Sequence, residues 1–177
     1  MATRTFEGYA PSLDGVAYVD PTAVVIGDVE LGRDSSVWPM AVIRGDVHRI
    51  RIGARTNIQD GAVVHVTHDG EFTPGGYPTL IGDDVTVGHR AIVHACTVGN
   101  RVLIGMGAIL MDGAQVEDDV MIAAGALVPP GRHLASGYLY VGSPARAQRA
   151  LTEAEYRMLP YSAQHYVANA RRHSASG

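Results

Sequence analysis

Residues 98–128 read VGNRVLIGMGAILMDGAQVEDDVMIAAGALV, with an aliphatic residue at every sixth position: Val98, Ile104, Leu110, Val116, Ile122 and Val128. Upstream the same ruler passes through Val19, Val25, Leu31, Val37 and Ile43, then Ile52, Ile58 and Val64, then Ile81, Val87 and Val93. A six-residue period sustained this long is the mark of a parallel β-helix wound from hexapeptide turns, because neither a helix nor an ordinary sheet repeats at six. Small or β-branched residues hold the fifth position of each hexad, among them Ala23, Ser35, Ala41, Thr56, Ala62, Ala91, Ala108 and Ala126. The aliphatic residue fills the interior of a triangular prism and the small one fits its corner. Three hexads then make one coil of about 18 residues, and coils stack about 4.8 Å apart like neighbouring strands.

Two insertions interrupt the ruler without ending it. One falls around His48-Arg49-Ile50. The other, at about 68–79, contains Pro74-Gly75-Gly76-Tyr77-Pro78 and reads as a projecting loop. After Val128 the pattern stops at Pro129-Pro130-Gly131, and Gly142-Ser143-Pro144 marks the exit from the coil. The expected organisation is a β-helix domain over 1–145 and a helical segment over 146–177. Thr152-Glu153-Ala154-Glu155 has the capping-box pattern that opens a helix. Pro160 is expected to kink that helix or to start a second one. Tyr156, Leu159, Ala163, Tyr166 and Ala170 recur at helical spacing and are expected to pack on the prism wall.

The chain has 177 residues, 46% of them hydrophobic and 18% charged, which suits one globular unit. A net charge of −4 with no basic stripe argues against nucleic acid as a main partner. No apolar run is long enough to span a membrane. The first residues open no apolar signal core and Cys96 is the lone cysteine, so a soluble cytoplasmic protein is the expectation.

Counting along the ruler gathers polar residues that are distant in sequence. Arg44, His65 and His94 each follow an aliphatic of the same face in successive coils, and form one outward column. Stacked imidazoles at that spacing can aim their nitrogens at one ion, at the roughly 2.0–2.1 Å typical of zinc. On the preceding face Asp60 and His89 share a hexad position one coil apart, beside Gln59. One chain would struggle to aim both faces at one ion. In a closed trimer of prisms, however, the face of one chain meets the column of the next. Arg44 would then lie level with Asp60 across the interface. Imidazole suits zinc, iron, cobalt and nickel alike. His48, His133, His165 and His173 fall outside the constellation and read as surface residues. Arg44-Gly45-Asp46 spells an adhesion tripeptide, which its place inside a hexad makes a coincidence.

At these residues the chain resembles the gamma-class carbonic anhydrase-like family, in its loop-reduced subgroup. The matching segments are WPMAVIRGD (38–46), IGARTNIQDG (52–61), VTVGHRAIVHAC (85–96) and IGMGA (104–108), with Gly137-Tyr138-Leu139-Tyr140 and Gly142-Ser143-Pro144 at the coil exit. The resemblance implies a left-handed β-helix with a C-terminal α-helix alongside. It also implies a homotrimer with metal sites shared between subunits, holding zinc, ferrous iron or cobalt. By motif, His65, His89 and His94 correspond to the metal ligands. Arg44 and Asp60 correspond to an intersubunit ion pair, with Asp46 in the same polar group. Gln59 corresponds to the residue that orients a metal-bound hydroxide, and Asn57 to a polar pocket residue. Tyr161 corresponds to a tyrosine that approaches the pocket. The implied activity is reversible hydration of carbon dioxide to bicarbonate by that hydroxide.

The chain also departs from the family's archetype. His68 stands where an acidic proton shuttle is usual, so His68, Asp69 and Glu71 are all shuttle candidates. The loop is shorter, the second acidic residue has no counterpart, and Ala95 replaces a glycine. Three other readings share the prism: a hexapeptide-repeat acyltransferase using coenzyme A, a metal-dependent thioesterase, and a catalytically weak trimer in which metal clamps the interfaces.

Overall fold

The computed structural model describes residues 2–176. Every ruler residue from Val25 to Val128 is buried, while Val19, at the open end, is only partly covered. The small residues of the fifth positions are buried as well, Ala23, Ala41, Thr56, Ala62, Ala91 and Ala108 among them. Each hexad therefore sends two side chains inward and turns a corner that only a small residue fits. The short strands this leaves stack into a parallel β-solenoid.

The strands form three faces. The first carries the start of Val42–Ile52, then Val63–His65, Ile92–His94, Ile109–Leu110 and Leu127–Val128. The second carries the end of Val42–Ile52, then Thr79–Ile81, Thr97–Val98, Gln115–Val116 and His133–Leu134. The third runs from Tyr18–Val19 through Ser36–Val37, Asn57–Ile58, Thr86–Val87, Leu103–Ile104 and Met121–Ile122 to Tyr138–Val141. On the first face Ile43 lies level with Val64, Val64 with Val93, and His65 with His94. That register is the one the ruler predicts. It puts the two histidines side by side on the outer surface.

The solenoid runs further than Pro129-Pro130-Gly131 suggests. Leu134 and Tyr140 continue the six-residue spacing and are both buried. The two prolines occupy a corner, where no ladder bond needs their missing N–H. The last strand is then covered by Arg146–Ala150, which pairs antiparallel with Tyr138–Val141. The segment expected to be helical from 146 thus begins as a strand, and this strand covers an otherwise open sheet edge.

A single helix, α1, follows over Glu153–Ser176 and continues through Pro160 without a second segment. The capping box forms as its sequence predicts: Glu155 N donates to Thr152 Oγ1 at 3.3 Å, and Thr152 N donates to Glu155 Oε2 at 2.8 Å. Leu159, Ala163 and Ala170 are buried against the third face. Tyr166 sets its ring edge-on to Trp38 at 5.4 Å. Tyr156 does not join them and remains exposed. Among the described residues no helix is long and apolar enough to cross a membrane.

Both insertions leave the prism undisturbed. The first bulges out of the strand Val42–Ile52, shifting its register against Val24–Leu31 between Gly27 and Val29, and Ile50 then pairs with Thr79. The second forms a small hairpin closed by Thr67 and Tyr77, with N–H···O distances of 3.0 and 2.9 Å, and it holds Phe72 exposed near its tip.

Candidate metal centre

The parallel register of Val63–His65 and Ile92–His94 places two imidazoles over one point. His65 Nδ1 lies 3.1 Å from His94 Nε2. The outer nitrogen of each ring is held by a carboxylate: His65 Nε2 by Asp46 Oδ1 at 3.0 Å, and His94 Nδ1 by Asp112 Oδ1 at 2.7 Å. Ionised carboxylates only accept hydrogen bonds, so both outer nitrogens carry the protons and both inner nitrogens present lone pairs. Two lone pairs facing each other at this distance repel unless a proton or a metal cation lies between them. Two imidazoles on one tetrahedral zinc would bring their nitrogens to about 3.4 Å apart. The pair therefore fits a divalent ion, and each ring has the carboxylate support usual for a ligating histidine.

The electrostatics agree with that reading. Burial pushes the His65 pKa below the ordinary histidine value against the opposing pull of Asp46, which keeps the imidazole neutral and able to ligate. Burial works to raise Asp46, but hydrogen bonds from Arg44 and His65 prevail and hold it below the usual carboxylate range. Asp112 follows the same pattern, with Thr67 and His94 as its donors. Arg44 bonds Asp46 through Nη1 and keeps much of its guanidinium exposed.

His89 stands apart. It occupies the corner after Thr86–Val87 and places Nδ1 2.9 Å from Asp60 Oδ2. That contact uses one nitrogen and leaves Nε2 available to a ligand. Among the described residues no three His, Cys, Asp or Glu side chains of one chain surround a common point. Within a single chain, then, Arg44 reaches Asp46, Asp60 reaches His89, and the third histidine does not join the pair.

Gln59 is buried and fixed. Its Nε2 donates to Asn57 Oδ1 at 3.0 Å, and Asn57 Nδ2 donates to Thr86 Oγ1 at 3.1 Å. Thr86 in turn lies 3.0 Å from Ser162 Oγ on α1. This chain of polar groups borders a cleft of about 430 Å³ whose other walls include Leu103, Met106 and Met121. His89 lies at its edge. Ser162 borders the cleft, whereas Tyr161 is two-thirds exposed at 67% and stacks on His165. His68 and Asp69 line a second cleft, of about 490 Å³, that also reaches Asp46 and His48. Glu71 lies exposed on the hairpin, outside that lining.

Sequence reasoning missed Asp112. The signal was available: Leu110 is level with Val93, so the residues after it rise beside His94 and Ala95. Of the pair Tyr161-Ser162 that the resemblance matches, the tyrosine is the one expected at the pocket, whereas Ser162 is the one that borders the cleft.

Over 164 residues the chain is 56% identical to Protein YrdA of Escherichia coli, covering 93% of this chain and 89% of that one. It is 47% identical over 166 residues to the mitochondrial Gamma carbonic anhydrase 1 of Arabidopsis thaliana. The chain belongs to the gamma carbonic anhydrase-like hexapeptide-repeat family. The plant match covers 94% of this chain and 60% of the plant protein, so the chain spans only part of that relative's length. Residues 95–130 match the family model described as Bacterial transferase hexapeptide (six repeats). A solved structure described as a hexapeptide transferase family protein from Anaplasma phagocytophilum superposes with a TM-score of 0.88 at 44% identity, covering 96% of both chains. A putative acetyltransferase from Bacillus cereus superposes at 0.91 with 33% identity, covering 99% of this chain and 98% of that one. The family membership accounts for the fold and implies a metal cofactor. Its named members span more than one chemistry.

Proposed function

We propose that this protein is a cytoplasmic enzyme that hydrates carbon dioxide reversibly to bicarbonate, at metal sites completed between the subunits of a homotrimer. The observation that carries the reading is the facing pair His65 Nδ1 and His94 Nε2, 3.1 Å apart, with both outer nitrogens held by carboxylates. The third ligand is His89 of a neighbouring subunit, supplied through its free Nε2. Arg44, still half exposed, faces Asp60 of that neighbour and aligns the two chains. Zinc, ferrous iron or cobalt would suit the three neutral imidazoles. Such an ion, when bound, supplies Lewis acidity and makes a water molecule ionisable near neutral pH, as is known for carbonic anhydrases.

The protein's own groups do the rest. Burial keeps the His65 ring neutral, while Asp46 and Asp112 aim the two ligand rings. Gln59, immobilised by Asn57, turns its amide toward the nucleophile and orients it. The apolar wall beside it admits carbon dioxide, which has no charge to lose to desolvation, and it disfavours the bicarbonate product. His68 or Asp69, lining the cleft that reaches Asp46, passes the released proton to solvent.

Elemental analysis of anaerobically purified protein, native mass and a stopped-flow hydration assay test the reading together. A trimer with bound metal and a hydration rate well above buffer is expected. A metal-replete trimer no faster than buffer from neutral to alkaline pH would sink it. His89→Ala should leave the circular dichroism of the solenoid unchanged and remove both metal and activity.

A second reading is hydrolysis or transfer of a small acyl group. The cleft favours it, since about 430 Å³ beside Gln59 and His89 exceeds what a three-atom substrate fills. Turnover of a short acyl thioester by the metal-loaded protein that cannot hydrate carbon dioxide would support that alternative.

A further inference from the structure

Asp112 lies outside the set of residues that the histidine column picks out, yet it holds one of the two facing rings. Its Oδ1 accepts from His94 Nδ1 at 2.7 Å, and its Oδ2 accepts from Thr67 Oγ1. Both oxygens are thus engaged from defined directions, one by the ring and one by the residue at the foot of the projecting hairpin. Asp112 is attached to the coil above His94, because Leu110 pairs with Val93. Its backbone is tied in turn by Gly131 N, which donates to Asp112 O at 2.8 Å. The carboxylate is therefore fixed by three separate parts of the fold: its own coil, the next coil and the hairpin stem.

We infer that Asp112, oriented by Thr67, is a positioning residue that sets the tautomer and aim of His94 for metal capture. Without the carboxylate, the His94 proton is free to sit on Nε2, the nitrogen that faces His65. The ring is also free to rotate about its χ2 torsion, which is broad. Either change removes a lone pair from the point where two must converge. A carboxylate behind a ligating histidine generally contributes 10–100-fold to metal affinity. Thr67 acts one step further out. Its hydroxyl selects one carboxylate rotamer, so its loss should weaken binding less than loss of Asp112 itself. The inference rests on the proposed ligand role of His94 and deepens it. It gives the hairpin stem a part in metal binding separate from any role of the hairpin tip as a lid or proton relay.

The test compares wild type, Asp112→Asn and Thr67→Val as full-length protein. Zinc affinity is measured by competition with a chromophoric chelator, and the visible spectrum is recorded after cobalt substitution. Asp112→Asn keeps shape and volume and removes the charge; thermal melting and native mass of the metal-free protein should match wild type. Zinc affinity should fall about 10–100-fold, and the cobalt bands should shift or weaken. Thr67→Val should lower affinity by a smaller factor in the same direction. Wild-type zinc affinity and an unchanged cobalt spectrum in Asp112→Asn would overturn the inference. So would a loss of affinity matched by an equal loss of thermal stability in both variants, since that is a structural effect. Failure of the wild type itself to bind zinc or cobalt would overturn the proposed metal centre, an outcome distinct from these.

Discussion

Replacing Thr79 by valine tests how the hairpin's second stem supports the ligand strands. Thr79 is fully buried where the hairpin rejoins the prism. Its hydroxyl donates to the carbonyl of His65 and accepts from Ala95 N at 2.9 Å. Ala95 N also donates directly to His65 O at 2.9 Å. Valine keeps the shape and removes both hydroxyl bonds, but each backbone group retains the other as a partner. The cost is therefore that of ordinary hydrogen bonds in a packed site, about 1 kcal/mol, and not the 1–3 kcal/mol of each orphaned group. For a chain of this size that corresponds to a melting shift of roughly 2–4 °C. Urea denaturation at fixed protein concentration is the assay, because an oligomer's apparent stability depends on concentration. A loss above about 3 kcal/mol would refute the claim that Ala95 N and His65 O satisfy each other. A gain in stability would refute the claim that the hydroxyl bonds contribute at all.

Leu110→Ala should cost about 2–5 kcal/mol in the same assay, since the side chain is fully buried in the coil above His94. Cys96 should resist thiol reagents at pH 8 in the native protein and react once unfolded, because burial and the nearby Asp112 push its thiol up to about 12. The N-terminal cap of helix α1 should weaken in acid. Hydrogen bonds from Arg149 and then from Thr152 N lower Glu155 to about 2 from 4.5. A depressed carboxylate pKa contributes stability that is complete above 4.5 and is lost as pH falls toward 2. Helicity followed from pH 5 to 2 should show that loss, and Glu155→Gln should abolish this component of the pH dependence.

The prism was legible because one physical requirement recurs at each hexad. An aliphatic must fill the interior and a small residue must fit the corner, so Val25 through Val128 could be placed inward by counting. The column of His65 and His94 followed from the same count, since a ladder register is fixed once the inward residues are known. The misses have separate causes. Pro129-Pro130-Gly131 resembles a stop, but a corner needs no amide donor, so the coil continues to Leu134 and then to Tyr140. Tyr140 fills the aliphatic place only because its hydroxyl finds Ala135 O at 3.2 Å. Arg146–Ala150 has no alternating pattern and becomes a strand through the open edge beside it, a tertiary cause that local sequence does not carry. Tyr156 sits at helical spacing yet stays exposed, with only its hydroxyl reaching Gly137 at the end of the coil, because the helix rests on the prism through the small Ala163 and Ala170 and through Leu159. Asp112 was countable, but only after a reason existed to look behind His94.

The hairpin between Thr67 and Thr79 behaves as an interchangeable module with two fixed mounting points. Its tip, around Glu71 and Phe72, touches neither ladder, so the tip can be lengthened, shortened or recoded without moving a strand. Its feet have no such freedom. Thr67 sets the carboxylate behind one imidazole, and Thr79 ties together the backbones beneath both. A graft from another member of the family should therefore take when it starts after Thr67 and ends before Thr79. One that replaces either threonine would carry a new loop in and leave the facing histidines loose.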